Sequence, residues 1–452
     1  MQKNIGFVST RFDGTDGVSL ESSKWAHVLE QDGHTIFWFA GKLDRAPQHS
    51  FPVPEAHFLH PTNEQITQQA IGQIRRSVEL TEEIHSQRAL LKAKLHQFIQ
   101  MFGINILIVE NALSLPMHIP LGLALTETIA ETQIPTIAHH HDFYWERSRY
   151  AVNAIGDYLH MAFPPSLPNM VHAVINTTAR EELALRTGST SYLVPNVMDF
   201  DRPLSISAER CRKFRQSMGF DPNDILILQP TRIVQRKGIE HAINLVKALN
   251  DPRCKLVISH EAGDEGYAYA DWLEHYAKDQ AVDLRLVPTR LCDPWRPGSN
   301  GSPPFSLWEI YASSDFVTFP SLSEGFGNAF LEAIYFEKPL LVNRYSAFIK
   351  DIEPLGFDLV TMDGFLGAET LQQVKQVLEP TSRRSSMVRY NYEVARRYFS
   401  YNTLRTQMNM MFTELLGQHF RSISPSAVDN LIHLHKAHLP VQPSRRPVAN
   451  LF

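Results

Sequence analysis

Asp315 to Tyr345 reads DFVTFPSLSEGFGNAFLEAIYFEKPLLVNRY. Phe316-Val317-Thr318-Phe319 is β-branched and aromatic throughout, which suits a short strand buried on both faces. Two glycines, Gly325 and Gly327, then interrupt the chain, and a helix-compatible stretch begins near Asn328. Leu340 to Asn343 is a second buried-strand run. Strand, glycine loop, helix and strand make a βαβ unit. The loop of such a unit lies at the carboxyl end of its strand, where open parallel sheets bind ligands.

The same alternation extends outward in both directions. Upstream, strands are expected at Ile225 to Leu228, Lys255 to Ser259 and Leu284 to Val287, with helices beginning near Lys237, Asp264 and Leu307. Before them Val194-Pro195-Asn196-Val197-Met198-Asp199 closes an earlier alternating half. That half holds strands at Ile5 to Ser9, Thr35 to Phe39, Ile104 to Val109, Thr136 to His139 and Val171 to Ile175, with helices at Leu121 to Glu131 and from Ala179. Residues 64 to 101 form a long charged helical stretch interrupted at Gly72. Residues 293 to 306 are Pro/Gly/Ser-rich and read as a surface loop. Two doubly wound α/β units in tandem account for this order. We expect a first Rossmann-like domain over 1–198 and a second over 199–385. A helix over 386–416 is expected to cross back onto the first domain through Tyr390, Val394, Tyr398 and Phe399, ahead of a tail over 417–452. The default site is the cleft between the two sheets.

Composition limits the function classes. With 452 residues, 43% hydrophobic and 20% charged, the chain can bury full cores, so disorder and fibrous repeats are excluded. A net charge of −5 argues against a general nucleic-acid surface. Cys211, Cys254 and Cys292 are too few for a disulfide framework or a four-cysteine zinc site, which favours a reducing compartment. No run approaches the 18 apolar residues of a membrane span. A soluble, cytoplasmic protein is expected, with peripheral membrane contact left open.

The chemistry concentrates after strands. Gly325 and Gly327 allow backbone N–H groups to approach a ligand, and the helix from Asn328 aims its positive end at it, which suits phosphate. Glu324 and Glu332 offer two carboxylates to one ligand. Thr231-Arg232-Ile233-Val234-Gln235-Arg236-Lys237-Gly238 places a guanidinium and an ammonium between a strand and a helix, where both can stabilise a departing diphosphate. His139-His140-His141-Asp142 follows a first-half strand. Adjacent side chains on an extended segment diverge, so no metal is expected there. Asn176-Thr177-Thr178 is a glycosylation sequon by pattern alone. His433, His435 and His438 read as a solvated helix face.

Together these segments resemble glycosyltransferase family 4, the retaining nucleotide-sugar transferases of GT-B fold. The Glu-x7-Glu run Glu324–Glu332, the strand–Arg-x4-Lys-Gly–helix element ending at Gly238, and the linker Val194–Val197 carry the resemblance. It implies a nucleoside-diphosphate sugar of UDP-glucose or GDP-mannose type, a small and soluble hydroxyl acceptor, and no cofactor or metal. It implies Glu324, Arg232, Lys237 and His141 as catalytic candidates, with His139 the alternative to His141 by register. Glu332 would hold the ribose and Glu324 would face the transferred sugar. Gly17, Val18, Gly325, Phe326, Gly327 and Asn328 would line the donor, and Glu110, Asn111, Asp142, Trp145 and Arg147 the acceptor. Two segments depart from the family pattern. Gly17 is preceded by Asp16 where two glycines are common, and Ser259-His260-Glu261 stands where a glycine-rich turn is usual. A sugar-nucleotide 2-epimerase, a phosphorylase and a non-catalytic sugar-nucleotide-binding module are the alternatives.

Overall fold

The computed structural model describes residues 2–14, 16–260, 266–287 and 305–417. Glu261 to Asp264, Cys292, most of the 293–306 loop, the C-terminal histidines and the tail lie outside the described residues.

Two parallel sheets organise the chain. The first contains β1 Asn4–Val8, β2 Thr35–Ala40, β3 Ser50–Pro52, β4 Ile106–Glu110, β5 Thr136–His140, β6 Met170–Val174 and β7 Ser191–Leu193, in the order β3-β2-β1-β4-β5-β6-β7. The second contains β8 Ile225–Gln229, β9 Cys254–Ile258, β10 Leu284–Leu286, β11 Phe316–Phe319, β12 Leu340–Asn343 and β13 Val360–Met362, in the order β10-β9-β8-β11-β12-β13. Every strand pair in both is parallel. The strand order reverses beside the first strand of each sheet, β1 and β8, and the loops that follow the central strands converge at those points. The central strands are buried along their whole length, which explains why they read as continuous apolar runs.

The charged stretch after residue 60 is two helices, Pro61–Ala70 and Val78–Phe102. Gly72 lies between them with φ +77°, a conformation glycine adopts without strain. Ser77 caps the second helix at Leu80 N, and Gly103 ends it in the left-handed region.

The expected helix over 386–416 is likewise two. Ser382–Tyr398 ends at Phe399, and Ser400 caps a new helix, Tyr401–Leu416. The residues expected to reach the first domain do not do so. Tyr398 and Phe399 belong to the second lobe's core with Val394 packed against it, and Tyr390 is half exposed, bonded to Gly356 O. The return is made instead by Tyr401, Leu404, Met408, Met411 and Phe412, which share a core with Ile5, Phe7, Trp25 and Ile108. The apolar periodicity was continuous across the break, so the sequence showed one helix where the chain bends.

The outgoing and returning crossings run side by side. Met198 N donates to Phe399 O at 2.9 Å, and Met198 bridges to Ser400. Lys24 Nζ donates to Val197 O at 2.7 Å, and Val197 N donates to buried Glu21 at 3.2 Å. Two short connections, bonded to each other and through Val197 to the first lobe, have the form of a hinge.

Candidate active site

The loop after β11 and the loop after β8 pack directly on each other. Leu322 N donates to Arg236 O at 2.8 Å. At Gly238, φ +58°, a Cβ would sit 2.7 Å from Pro320 O, so only glycine permits this approach. The packing brings Lys237 onto Glu324: the ammonium donates to Glu324 Oε1, and Arg236 Nη1 reaches Oε2 at 3.4 Å. Both partners are largely buried. Burial pulls the Lys237 ammonium below its ordinary range, against the opposing pull of Glu324. Arg232 is exposed at the head of the same loop. His260 is partly buried nearby, and desolvation, with the charges of Lys237 and Arg232, pushes it down to about 4. His260 is therefore neutral, with Nδ1 3.0 Å from Ser259 Oγ.

Gly327 precedes the helix Asn328–Tyr335 with φ +107°, and a Cβ there would lie 2.7 Å from Tyr345 Oη. No side chain caps this helix. Phe326 is buried, its carbonyl accepting from Tyr345 Oη at 2.5 Å, with its ring edge-on to Phe399. Asn328 Oδ1 accepts from linker Asn196 Nδ2 at 2.6 Å. One turn in, Glu332 is buried and accepts from Tyr311 Oη at 2.8 Å. Burial raises its carboxyl, partly offset by the Tyr311 hydroxyl and by the charges of Lys24 and Lys237. Tyr311 gave no motif-level signal. Its role follows from the helix Leu307–Ser313 packing beside Asn328–Tyr335.

The first lobe faces this loop. A Cβ on Gly325 would lie 3.0 Å from Ile175 Cδ1 and 3.5 Å from His141 O, so the chain around His141 lines the glycine loop. His141 Nε2 and His139 Nδ1 both pair with Glu110 Oε2, at 3.0 and 2.9 Å. Two positions apart, at the end of β5 and just past it, these histidines share one face and converge. The expectation that the side chains here diverge holds for neighbours only. Among the described residues, this is the group of histidine and acidic side chains whose donor atoms all lie within 4.8 Å of one another. Hydrogen bonds already link its members. Burial opposes ionisation of Glu110, but His139 and His141 outweigh it and hold the carboxyl down to about 2. Burial works against the His141 cation too, yet the Glu110 bond and charge leave its pKa raised. His139 is pushed down by burial and stacks on Trp25, with ring centroids 4.2 Å apart.

Three expectations are corrected, those for Glu110, Trp145 and Val18. Glu110 does not line an acceptor surface, because it is fully buried beneath the two histidines. His140 faces away, with Nε2 2.9 Å from His172 Nδ1. Trp145 stacks flat on Phe143 at 4.4 Å beneath Arg186, in a small side cluster. Val18 N–H is not open to a ligand: Asp16 accepts from Val18 N and Ser19 N, both at 3.1 Å. Asp16 thus performs as a side-chain cap what a second glycine would leave to a ligand. Gly17 itself borders the site, since a Cβ there would be 3.9 Å from Asn328 Nδ2. Asn111, at φ +60°, anchors the His141 loop by accepting from His141 N at 2.8 Å and Asp142 N at 3.4 Å. Asp142 pairs with Arg147 at 2.7 Å at the exposed rim.

The arrangement is a cleft with cations, a bare helix N-terminus and a carboxylate on one wall, and a histidine loop on the other. Residues 299–394 match the family model for glycosyl transferases group 1. The chain is 32% identical over 382 residues to a mannosylglucosylglycerate synthase from Petrotoga mobilis, covering 79% of this chain and 86% of the relative. It is 30% identical over 435 residues to a mannosylglucosylglycerate synthase from Thermotoga maritima, covering 88% of this chain and 97% of the relative. A glycosyltransferase structure from Rickettsia africae shares the fold with a TM-score of 0.66 at 12% identity, over 92% of this chain and 99% of that one. Two such relatives, matched along nearly their whole length, together with the paired parallel sheets and the glycine loop between them, show that the chain belongs to the group 1 glycosyl transferases of GT-B fold.

Proposed function

We propose that this glycosyltransferase moves a mannosyl group from a nucleoside-diphosphate mannose to a hydroxyl of glucosylglycerate, with retention at the anomeric carbon and no need of a metal ion. The relatives' names supply the product. The observation that carries the mechanism is the Lys237–Glu324 pair at the mouth of the 325–327 loop, opposite His141.

The donor diphosphate meets Arg232, Lys237 and the uncapped N-terminus of Asn328–Tyr335. These supply the positive charge that a metal supplies in other transferases. Before the donor arrives, Glu324 neutralises the buried Lys237 ammonium. A diphosphate that takes over Lys237 frees the Glu324 carboxylate to face the sugar as positive charge develops on its ring. Glu332, anchored by Tyr311, takes the ribose hydroxyls. His141, steadied by Glu110 from below, addresses the sugar from the first lobe. The acceptor enters over the exposed Asp142–Arg147 rim, where a cationic side chain suits the carboxylate of a hydroxy acid. Attack then comes from the face the diphosphate leaves, within an ion-pair-like transition state.

The test is turnover with glucosylglycerate and a panel of sugar nucleotides, with and without EDTA, read by mass spectrometry and by the anomeric proton coupling of the product. A product one hexosyl unit heavier, formed from a mannose donor, with donor stereochemistry kept and EDTA without effect, supports the reading. Transfer to glucosylglycerate from none of the donors refutes it.

A further inference from the structure

The triplet Asn176-Thr177-Thr178, a sequon by pattern, has a different task in the fold. It follows β6 and opens the helix Thr177–Thr187. Asn176 is 5% exposed and uses both ends of its amide. Oδ1 accepts from Ala179 N at 2.7 Å, which is an ordinary N-cap. Nδ2 donates across the cleft to Gly325 O at 2.7 Å. Thr177 reaches the other lobe too: its N–H lies 3.1 and 3.2 Å from the two oxygens of Asp351, and its hydroxyl donates to Asp351 Oδ1 at 2.6 Å. Asp351 is buried, and its side chain is seated at the N-terminal end of a helix belonging to the opposite lobe. Just before the triplet, Ile175 packs into the second lobe's core with Phe319 and Phe326.

Gly325 follows Glu324, and its peptide carbonyl is the point at which the first lobe grips the glycine loop. A glycine has no side chain to hold its own orientation, so the loop takes its set from outside. We propose that Asn176 is a positioning residue for the donor loop, and that the Thr177–Asp351 contact carries it to Gly325 when the lobes meet. The loop that receives the donor is then completed only by the acceptor-side lobe. This rests on the donor reading of the 324–328 loop given above.

Cap and bridge are separable by mutation. Asp caps helices as well as Asn does, so Asn176→Asp keeps the cap and sets an oxygen against the Gly325 carbonyl in place of a donor. Asn176→Ser also caps but is too short to reach. Asn176→Ala loses both functions and serves as the control for a purely structural role. Hydrogen exchange over residues 322–330 is measured on the full chain without substrate, beside melting temperature and donor kinetics. The expected result for Asn176→Asp and Asn176→Ser is a melting temperature no lower than that of Asn176→Ala, faster exchange confined to 324–328, and a donor KM raised about tenfold, the scale of one broken hydrogen bond. Unchanged exchange and unchanged KM in both variants would overturn the proposal. So would losses that appear only in Asn176→Ala. An inactive wild type would count against the donor reading alone, because loop exchange tests Asn176 without turnover.

Discussion

Replacing Glu110 with Gln removes a charge from beneath the candidate His141 while keeping the shape of the side chain. In the folded protein the Glu110 carboxyl is held down to about 2 from a usual 4.5, because the two histidines outweigh its burial. One pKa unit corresponds to ~1.36 kcal/mol, so the ionised Glu110 contributes about 3 kcal/mol to stability near neutral pH. The folded pKa is depressed, so this contribution is present above 4.5 and lost as pH falls towards 2, leaving about 2 kcal/mol at pH 3.5. His141 has the opposite sign. Its raised pKa contributes stability that is complete below 6.5 and lost as pH rises through the folded value. The difference between wild type and Glu110→Gln should therefore be greatest between pH 4.5 and 6.5. Urea unfolding followed by tryptophan fluorescence suits the assay, since Trp25 stacks on His139. Measurements at pH 3.5, 5.5 and 8 should give the largest gap at 5.5. A gap that does not vary with pH, or one below about 1 kcal/mol at pH 5.5, would refute the triad's electrostatics.

The two glutamates of the donor loop should fail differently. Glu332→Gln should mainly raise the donor KM, because ribose contacts change little on the way to the transition state, whereas Glu324→Gln should mainly lower kcat. A lost charged hydrogen bond of about 1.5–3 kcal/mol makes either effect roughly tenfold to a hundredfold, and steady-state kinetics at saturating acceptor separates them. Gly327→Ala should cost about 3 kcal/mol or more in chemical unfolding, from left-handed strain plus the 2.7 Å approach to Tyr345; a wild-type midpoint would show that the loop adopts another path. Phe412→Ala, at 1% exposure in the first lobe's core, should lower stability by about 3–5 kcal/mol; a change below about 1 kcal/mol would mean the returning helix is only loosely docked.

Local chemistry made much of this protein legible in one dimension. Strands buried on both faces write themselves as short apolar runs, so the two parallel sheets could be read from runs such as Phe316–Phe319 and Ile225–Gln229. Glycines at positive φ, Gly238 and Gly327, marked the loops that carry Lys237 and Glu324, because that backbone conformation is itself local. The break at Phe399–Ser400 was not visible, since one apolar stripe serves two different cores on either side of it. Nor was the pairing of groups far apart along the chain. Whether Glu110 lines a surface or lies beneath His141, whether Asn176 is a cap or also a bridge to Gly325, and whether Asp351 is solvated or seated on Thr177 are questions about side chains 31, 149 and 174 residues apart. A sequence carries residue types and their spacing along the chain. The partner of a buried polar atom is chosen only when distant segments pack together, because the cost of leaving that atom unpaired arises only there.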